Sequence, residues 1–141
     1  MQLPIKAHYA TVAMLAMAAE YDAGKLVAAR EIAAQHSVPS QFLVQILQQL
    51  RAAGLVQSIR GSSGGFRLSK SPSQTTLSEI VEAVCPANSG IISSDNVSAI
   101  QQTACQLWAD MERREREFLQ SITVGDLLDR VYSAPGTMFY I

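Results

Sequence analysis

Two cysteines and two histidines are the residues in this sequence best suited to bind a metal, but their spacing alone does not define a site. Cys85 and Cys105 lie twenty positions apart, and two cysteines are too few for a disulfide scaffold or a four-cysteine metal centre. On spacing alone, each cysteine is interpreted as a small buried hydrophobic residue. By the same reasoning, His8 occupies an exposed N-terminal position and His36 a solvated helix C-terminus, where the helix dipole favours a histidine.

The glycine-rich segment at residues 61–65 (GSSGG) formally matches G-x-S-x-G, the nucleophile elbow of many hydrolases. Such an elbow requires a strand followed by a helix, whereas this segment separates two short strand-like runs. It also lacks the G-K-[ST] ending of a phosphate-binding loop. We therefore predict that the chain is not an enzyme.

Three helices are predicted before this segment. Residues 5–22 carry apolar side chains three or four positions apart, and a second helix covers residues 27–36. After a short turn, Ser40 is predicted to cap a third helix over residues 41–53. The third helix is rich in glutamine, and its predicted apolar stripe comprises Phe42, Leu43, Ile46, Leu47 and Leu50.

Two short helices joined by a tight turn form a helix-turn-helix pattern. Residues 55–60 and 66–68 are predicted to be two strands, because the glycines between them supply the positive-φ positions that a hairpin needs. A hairpin that directly follows a helix-turn-helix is a wing. This combination predicts a DNA-binding domain of the winged-helix type.

The C-terminal half is predicted to be helical. The spacing of Thr76 and Glu79 is that of a capping box, a long amphipathic helix follows over residues 98–121, and a last helix covers residues 127–131. The long helix needs a surface to pack against, and we favour a second copy of the chain over its own domain. Its apolar face comprises Ile100, Ala104, Leu107, Trp108, Met111, Phe118 and Leu119.

The predicted fold class is mainly α. Residues 1–80 form a winged helix-turn-helix DNA-binding domain with a two-stranded wing, residues 81–98 a loop region, and residues 99–141 a long dimerisation helix with a C-terminal segment. At 141 residues, 48% of them apolar, the chain can bury a core of its own. No apolar run approaches the roughly 20 residues of a membrane span, and the N-terminus lacks the pattern of a signal peptide, so we expect a cytoplasmic protein.

The net charge of −1 does not by itself suggest a nucleic-acid binder, but the charge is unevenly distributed. Residues 32–78 contain four basic residues and no acidic one, whereas residues 79–141 contain nine acidic residues and four arginines. The acid-free stretch indicates either an electropositive surface for an anionic partner or a serine- and glutamine-rich region that happens to lack acids. Its basic residues are Arg51, Arg60, Arg67 and Lys70.

Several blocks of the sequence together resemble the Rrf2 family of bacterial winged-helix transcriptional regulators. They are Gln2-Leu3 with Lys6, residues 39–45 (PSQFLVQ), residues 50–56 (LRAAGLV) and, most specifically, residues 58–68 (SIRGSSGGFRL). The resemblance implies a homodimer that binds double-stranded operator DNA, with the third helix in the major groove and the wing at the adjacent minor groove or backbone. The DNA-binding positions that it implies are Ser40, Gln41, Gln45, Arg60 and Gly61.

The family resemblance also gives the cysteines and histidines a role. Some relatives with two cysteines at about this separation bind an iron–sulfur cluster and complete the site with a residue at position 8 and a histidine before the turn of the helix-turn-helix. The resemblance therefore implies a [2Fe–2S] cluster bound by Cys85, Cys105, His36 and His8, with residues 81–98 as the cluster-binding loop region. Position 8 is usually acidic in those relatives, so His8 departs from the pattern.

The predicted function is therefore sequence-specific DNA binding by a transcriptional regulator, a repressor, that senses redox or iron–sulfur status through the cluster. The alternative is a cluster-free regulator of the same family with thiol-based or partner-protein sensing. A further alternative is a protein-interaction module with a winged fold. A measurement of specific DNA binding would distinguish the regulator from this module.

Overall fold

The first helix is rich in alanine and methionine because its inner face lies at the centre of the protein. The structure is a computed structural model that describes residues 3–86 and 98–134, and α1 spans Ile5–Ala18. Small side chains on this face allow four later helices to pack against α1. Its buried residues are Ala7, Ala10, Ala13, Met14, Met17 and Ala18.

A helix-turn-helix and a wing follow, as the sequence predicts. Helices α2 (Ala29–His36) and α3 (Ser40–Ala52) pack against each other. The wing consists of the antiparallel strands β1 (Val56–Ile59) and β2 (Gly65–Leu68), in which Val56 lies opposite Leu68. The mainly α winged-helix fold is thereby confirmed.

The predicted end of the first helix and the predicted cap of the third are wrong. Helix α1 ends at Ala18, short of residue 22, because the backbone N–H of Glu20 donates to a carbonyl three residues earlier and begins a turn. Ser40 does not cap α3. It is the first helical residue, and Pro39 occupies the N-cap position with no side-chain hydrogen bond.

Two separate features of the wing require glycine: a positive φ at one position, and backbone atoms that pass too close for a Cβ at two others. Within residues 61–65, positive φ occurs at Gly61, with a φ of 123°. A Cβ on Gly64 would collide with the β1 backbone, and one on Gly65 would lie 2.8 Å from the carbonyl oxygen of Val27. Val27 exchanges two backbone hydrogen bonds of 2.8 and 2.9 Å with Phe66, so the segment before α2 adds a bridge to the edge of the wing.

Three helices form the C-terminal part of the described chain: α4 (Leu77–Val84), α5 (Ala99–Ser121) and α6 (Val124–Ser133). The last of these is longer than the predicted helix over residues 127–131, because a full capping box starts it directly after Thr123. The Asp126 carboxylate accepts from the Thr123 backbone N–H, and the Thr123 hydroxyl accepts from the Asp126 N–H, both at 3.0 Å. The hydrogen bond from the Thr123 backbone N–H, and after it the interaction of the carboxylate with the Thr123 side chain, lower the pKa of Asp126.

Helix α6 packs onto the winged domain, whereas α5 largely does not. Val124 is buried in the same core as α1, and its N–H donates to the Thr75 carbonyl at 2.8 Å. The N–H of Leu77 in turn donates to the Ile122 carbonyl at 2.9 Å. Helix α5 contacts α4 but has no buried residue. The alternative in which α5 buries its apolar face on its own domain is therefore wrong for the described part of the chain.

Part of the predicted cluster-binding region 81–98, namely residues 87–97, lies outside the described residues, as do residues 1–2 and 135–141. Across residues 3–86 and 98–134, no helix combines the length and hydropathy that a membrane span requires.

Candidate nucleic-acid interface and metal centre

The outward side of α3 is rich in exposed glutamines, whereas its inward side is apolar. Ser40, Gln41 and Gln45, the predicted DNA-binding residues of this helix, are all exposed. The inward side is anchored by buried Leu43, Ile46, Leu47 and Leu50. Because these four leucine and isoleucine side chains fix the rotation of α3, the glutamines are held facing solvent.

Arg60 and Gly61 directly follow the first strand of the wing. Both are exposed at the end of β1, where the hairpin turns back at a hydrogen bond of 3.1 Å from Gly64 N–H to the Gly61 carbonyl. The wing is tied to α3, since Arg51 near the end of that helix donates to the Ser58 hydroxyl at 3.2 Å. Helix and hairpin therefore form one connected, solvent-facing surface.

The acid-free stretch is less positive in the structure than its sequence suggests. Lys70 forms an ion pair with Glu79, with 3.0 Å between Nζ and the carboxylate oxygen, and Arg67 donates to the Gln57 side chain at 3.2 Å. An exposed ion pair of this kind contributes little to stability but neutralises one of the four charges. The arginines Arg51, Arg60 and Arg67 remain to supply positive potential around α3 and the wing.

The turn between α2 and α3 contains a residue in an unfavourable backbone conformation. Ser37, the C-cap of α2, has φ 55° and ψ 40°, which is the left-handed region that favours glycine. Within the described ranges it is the one non-glycine residue with positive φ. It directly follows His36 and sets the angle at which α3 leaves the turn.

Ser37→Gly is expected to stabilise the protein by about 0.5–1 kcal/mol, the difference between a left-handed penalty of roughly 1–2 kcal/mol and the entropy cost of glycine in the unfolded chain. Urea unfolding at fixed protein concentration measures the change. Ser37→Ala is the control, because it keeps the Cβ and should bring no gain. An equal gain from the alanine variant would show that the hydroxyl, not the backbone angle, is the source.

The predicted metal ligands lie on four different helices. Cys85 is the C-cap residue of α4 and Cys105 lies on α5; both are free thiols and half-buried. His36 is the last residue of α2, and His8 lies on α1 with its ring centroid 5.7 Å from that of Tyr9. Both histidines are exposed.

Within one protomer the structure pairs the cysteine-bearing helices but does not assemble the site. Helices α4 and α5 pack against each other. In the part of the chain that the structure describes, no three His, Cys, Asp or Glu side chains are grouped as metal ligands would be. The donor types suit a mixed Cys/His [2Fe–2S] centre.

Some residues of the outward surface were not among the predicted DNA-binding positions. Gln48 and Val44 are exposed beside Gln41 and Gln45, and the position of Gln48, three residues after Gln45, would have identified it. Phe42 was predicted in the buried stripe but is 42% exposed, with its ring centroid 6.0 Å from that of Tyr9.

Comparison with known proteins gives a consistent result across sequence and structure. The family model for Rrf2, described as an iron-dependent transcriptional regulator, matches residues 3–130. The HTH-type transcriptional regulator IscR of Escherichia coli (strain K12 / DH10B) is 32% identical over 137 residues, which covers 92% of this chain and 81% of that protein. The named sequence relatives are thus transcriptional regulators.

Two solved structures are similar over nearly the whole chain. The global cysteine regulator CymR of B. subtilis superposes with a TM-score of 0.78 at 25% identity, covering 92% of this chain and 98% of CymR. T. potens IscR superposes with a TM-score of 0.77 at 26% identity, covering 99% of this chain and 97% of that one.

Proposed function

The chain belongs to the Rrf2 family of transcriptional regulators, and on that premise we propose that it is a homodimeric, sequence-specific DNA-binding repressor that senses iron–sulfur status through a [2Fe–2S] cluster. The observation that carries the DNA-binding part is the exposed glutamine side of α3, together with an exposed arginine in the wing that follows this helix. DNA as the ligand puts the proposed site of action in the cytoplasm.

The DNA contacts follow from the chemistry of each side chain. Gln41 and Gln45 can pair bidentately with adenine in the major groove. Ser40, at the start of α3, can anchor a phosphate with its hydroxyl and the helix N-terminus. Arg60 at the wing suits a narrow, electronegative minor groove, and the missing side chain of Gly61 permits close approach to the backbone.

The dimer is proposed on the exposure of α5. A helix that leaves large apolar side chains in solvent needs a partner, and a second copy would bring two α3 helices to half-sites about one helical turn apart. Residues 99–141 are accordingly proposed as the dimerisation segment, and residues 1–80 as the DNA-binding domain.

The cluster is proposed on the donor set. Cys85, Cys105, His36 and His8 would hold it, with ligands drawn from both protomers and with residues 81–98 as the surrounding region. When bound, it would supply reversible one-electron chemistry at a raised potential, because imidazoles replace two thiolates. His36 ends α2 immediately before the Ser37 turn, so a ligand bond there would bias the orientation of α3.

The cluster-free alternative has its own supporting observations. The superposition on CymR, a cysteine regulator by name, is as good as that on T. potens IscR, and both cysteines of this chain are free thiols. Under this alternative, oxidation of Cys85 or Cys105, or a partner protein, would replace the cluster as the signal.

DNA binding is tested by selecting an operator from random duplexes and measuring affinity at two salt concentrations. We expect Gln45→Ala to lower affinity by about 1–2 kcal/mol, roughly tenfold, through loss of a base contact. Arg60→Ala should lower affinity and also reduce the slope of log affinity against log salt concentration by about one, because one fewer counterion is released. Arg130→Ala on α6 is the charge-matched control and should leave both unchanged. If no duplex is retained against competitor DNA, the proposal is wrong.

A further inference from the structure

The outward side of α3 has an apolar side chain at its centre. Four residues of this side are exposed: Gln41, Val44, Gln45 and Gln48. Val44 and Gln45 lie three and four positions after Gln41, and Gln48 lies three positions after Gln45, which is the spacing of neighbours on one side of a helix. Val44 is 52% exposed. Among the described residues, it belongs neither to the buried core nor to the half-buried residues packed against it.

Protein packing does not account for this exposed valine. Phe42, the other exposed apolar residue of α3, at least has a ring contact with Tyr9 of α1. Val44 lies three positions after Gln41 and four before Gln48, on the exposed side of the helix that is proposed to enter the major groove. Its nearest exposed neighbours on this side are glutamines, and α3 carries no acidic residue.

The chemistry of the major groove offers one match for such a side chain. The base edges there are hydrogen-bond donors and acceptors, apart from the C5-methyl group of thymine. A valine set against a polar base edge would displace water without replacing its hydrogen bonds, which is unfavourable. Glutamines on either side suit adenine, so the whole outward side of α3 is matched to A·T pairs.

We propose that Val44 contacts a thymine methyl group and selects an A·T pair at the centre of each half-site, an inference that rests on the proposed DNA binding. The side from Gln41 to Gln48 is about 10 Å long at 1.5 Å per residue, which matches about three base pairs at 3.4 Å each. Val44 then reads the middle of this group, between the contacts of Gln41 and Gln48.

The first step of the test removes the C5-methyl group of individual thymines in the operator. An operator is selected with the full-length chain, and each thymine is replaced in turn by deoxyuridine, which lacks the C5-methyl group but pairs identically. We expect one thymine per half-site at which the replacement lowers affinity about fourfold, the effect of removing one buried carbon. Val44→Ala should abolish the difference between thymine and deoxyuridine at that position alone.

Two controls separate a base contact from a structural effect. Val44→Ile keeps an apolar branched side chain and should retain the methyl sensitivity, and thermal unfolding of Val44→Ala should match the unmodified protein because the residue is exposed. A selected operator in which no methyl-sensitive thymine responds to Val44→Ala overturns this inference while leaving DNA binding intact. Failure to select any operator would instead overturn the proposed function, and this inference with it.

Discussion

Trp108→Glu is expected to convert the proposed dimer into monomers and to lower operator affinity by about 100-fold or more, because linking two binding modules raises affinity by roughly 10² to 10⁴. Light scattering after size-exclusion chromatography measures the oligomeric state, and a mobility-shift titration on the selected operator measures the affinity.

The size of this effect follows from the surface that α5 leaves in water. The fractions exposed are 84% for Ile100, 60% for Leu107, 54% for Trp108 and 61% for Phe118. Burying a large apolar side chain contributes about 1.5–3 kcal/mol, so four of them supply much of the driving force for association. A glutamate at the centre of that surface would be buried without a partner, which is strongly unfavourable.

Gln106→Glu is the matched control for this substitution. It introduces the same charge on the same helix, two positions from Trp108 and therefore on another side of α5. Gln106 is also exposed, so the control should remain dimeric and bind DNA normally. If Trp108→Glu stays dimeric with native circular dichroism, α5 is not the interface.

Cys85→Ala is expected to reduce iron and acid-labile sulfide to background after anaerobic reconstitution and to remove the visible absorption of the protein. The physical reason is that a [2Fe–2S] cluster needs a complete ligand set. The sequence has one other cysteine, Cys105, which is already one of the proposed ligands and so cannot replace Cys85. His36→Ala should lower cluster content in the same way, although it lies on a different helix.

Controls for the cluster experiment are available at neighbouring positions. Ser37→Ala alters the residue next to His36 without removing a ligand and should retain iron. Cys85→Ser preserves the size of the half-buried side chain, and thermal unfolding then separates ligand loss from misfolding. A colourless, iron-free unmodified protein after reconstitution would contradict the cluster. Oxidant-dependent DNA binding that is lost in Cys85→Ala would then support the thiol alternative.

Much of the winged domain is predictable from local sequence. The apolar periodicity of α3 identifies Leu43, Ile46, Leu47 and Leu50 as buried, and Gly54 ends that helix with a φ of 78°. The same periodicity misplaced Phe42, because a residue at the edge of an apolar stripe is buried only if a neighbouring element reaches it. Here Phe42 has a ring contact with Tyr9 of α1, a contact between distant segments, and still remains 42% exposed.

Other features depended on contacts that no local pattern contains. Sequence spacing suggested that glycines in the wing serve positive φ, but Gly65 is needed because the backbone of Val27 passes beside it. Whether α6 belongs with α5 or with the core could not be inferred from its own residues. The backbone hydrogen bond from Val124 to Thr75 joins it to the core.

The sequence by itself determined the order of the elements, the outward side of α3 and the identity of the four donor side chains, because periodicity, turn residues and ligand chemistry are local properties. Only the tertiary structure decided which apolar surfaces are covered. It left the apolar side of α5 exposed, and among the residues that it describes it brought no three of the donors Cys85, Cys105, His36 and His8 together. The reason is that periodicity marks the side of a helix that must leave water, while packing between distant segments determines what that side meets.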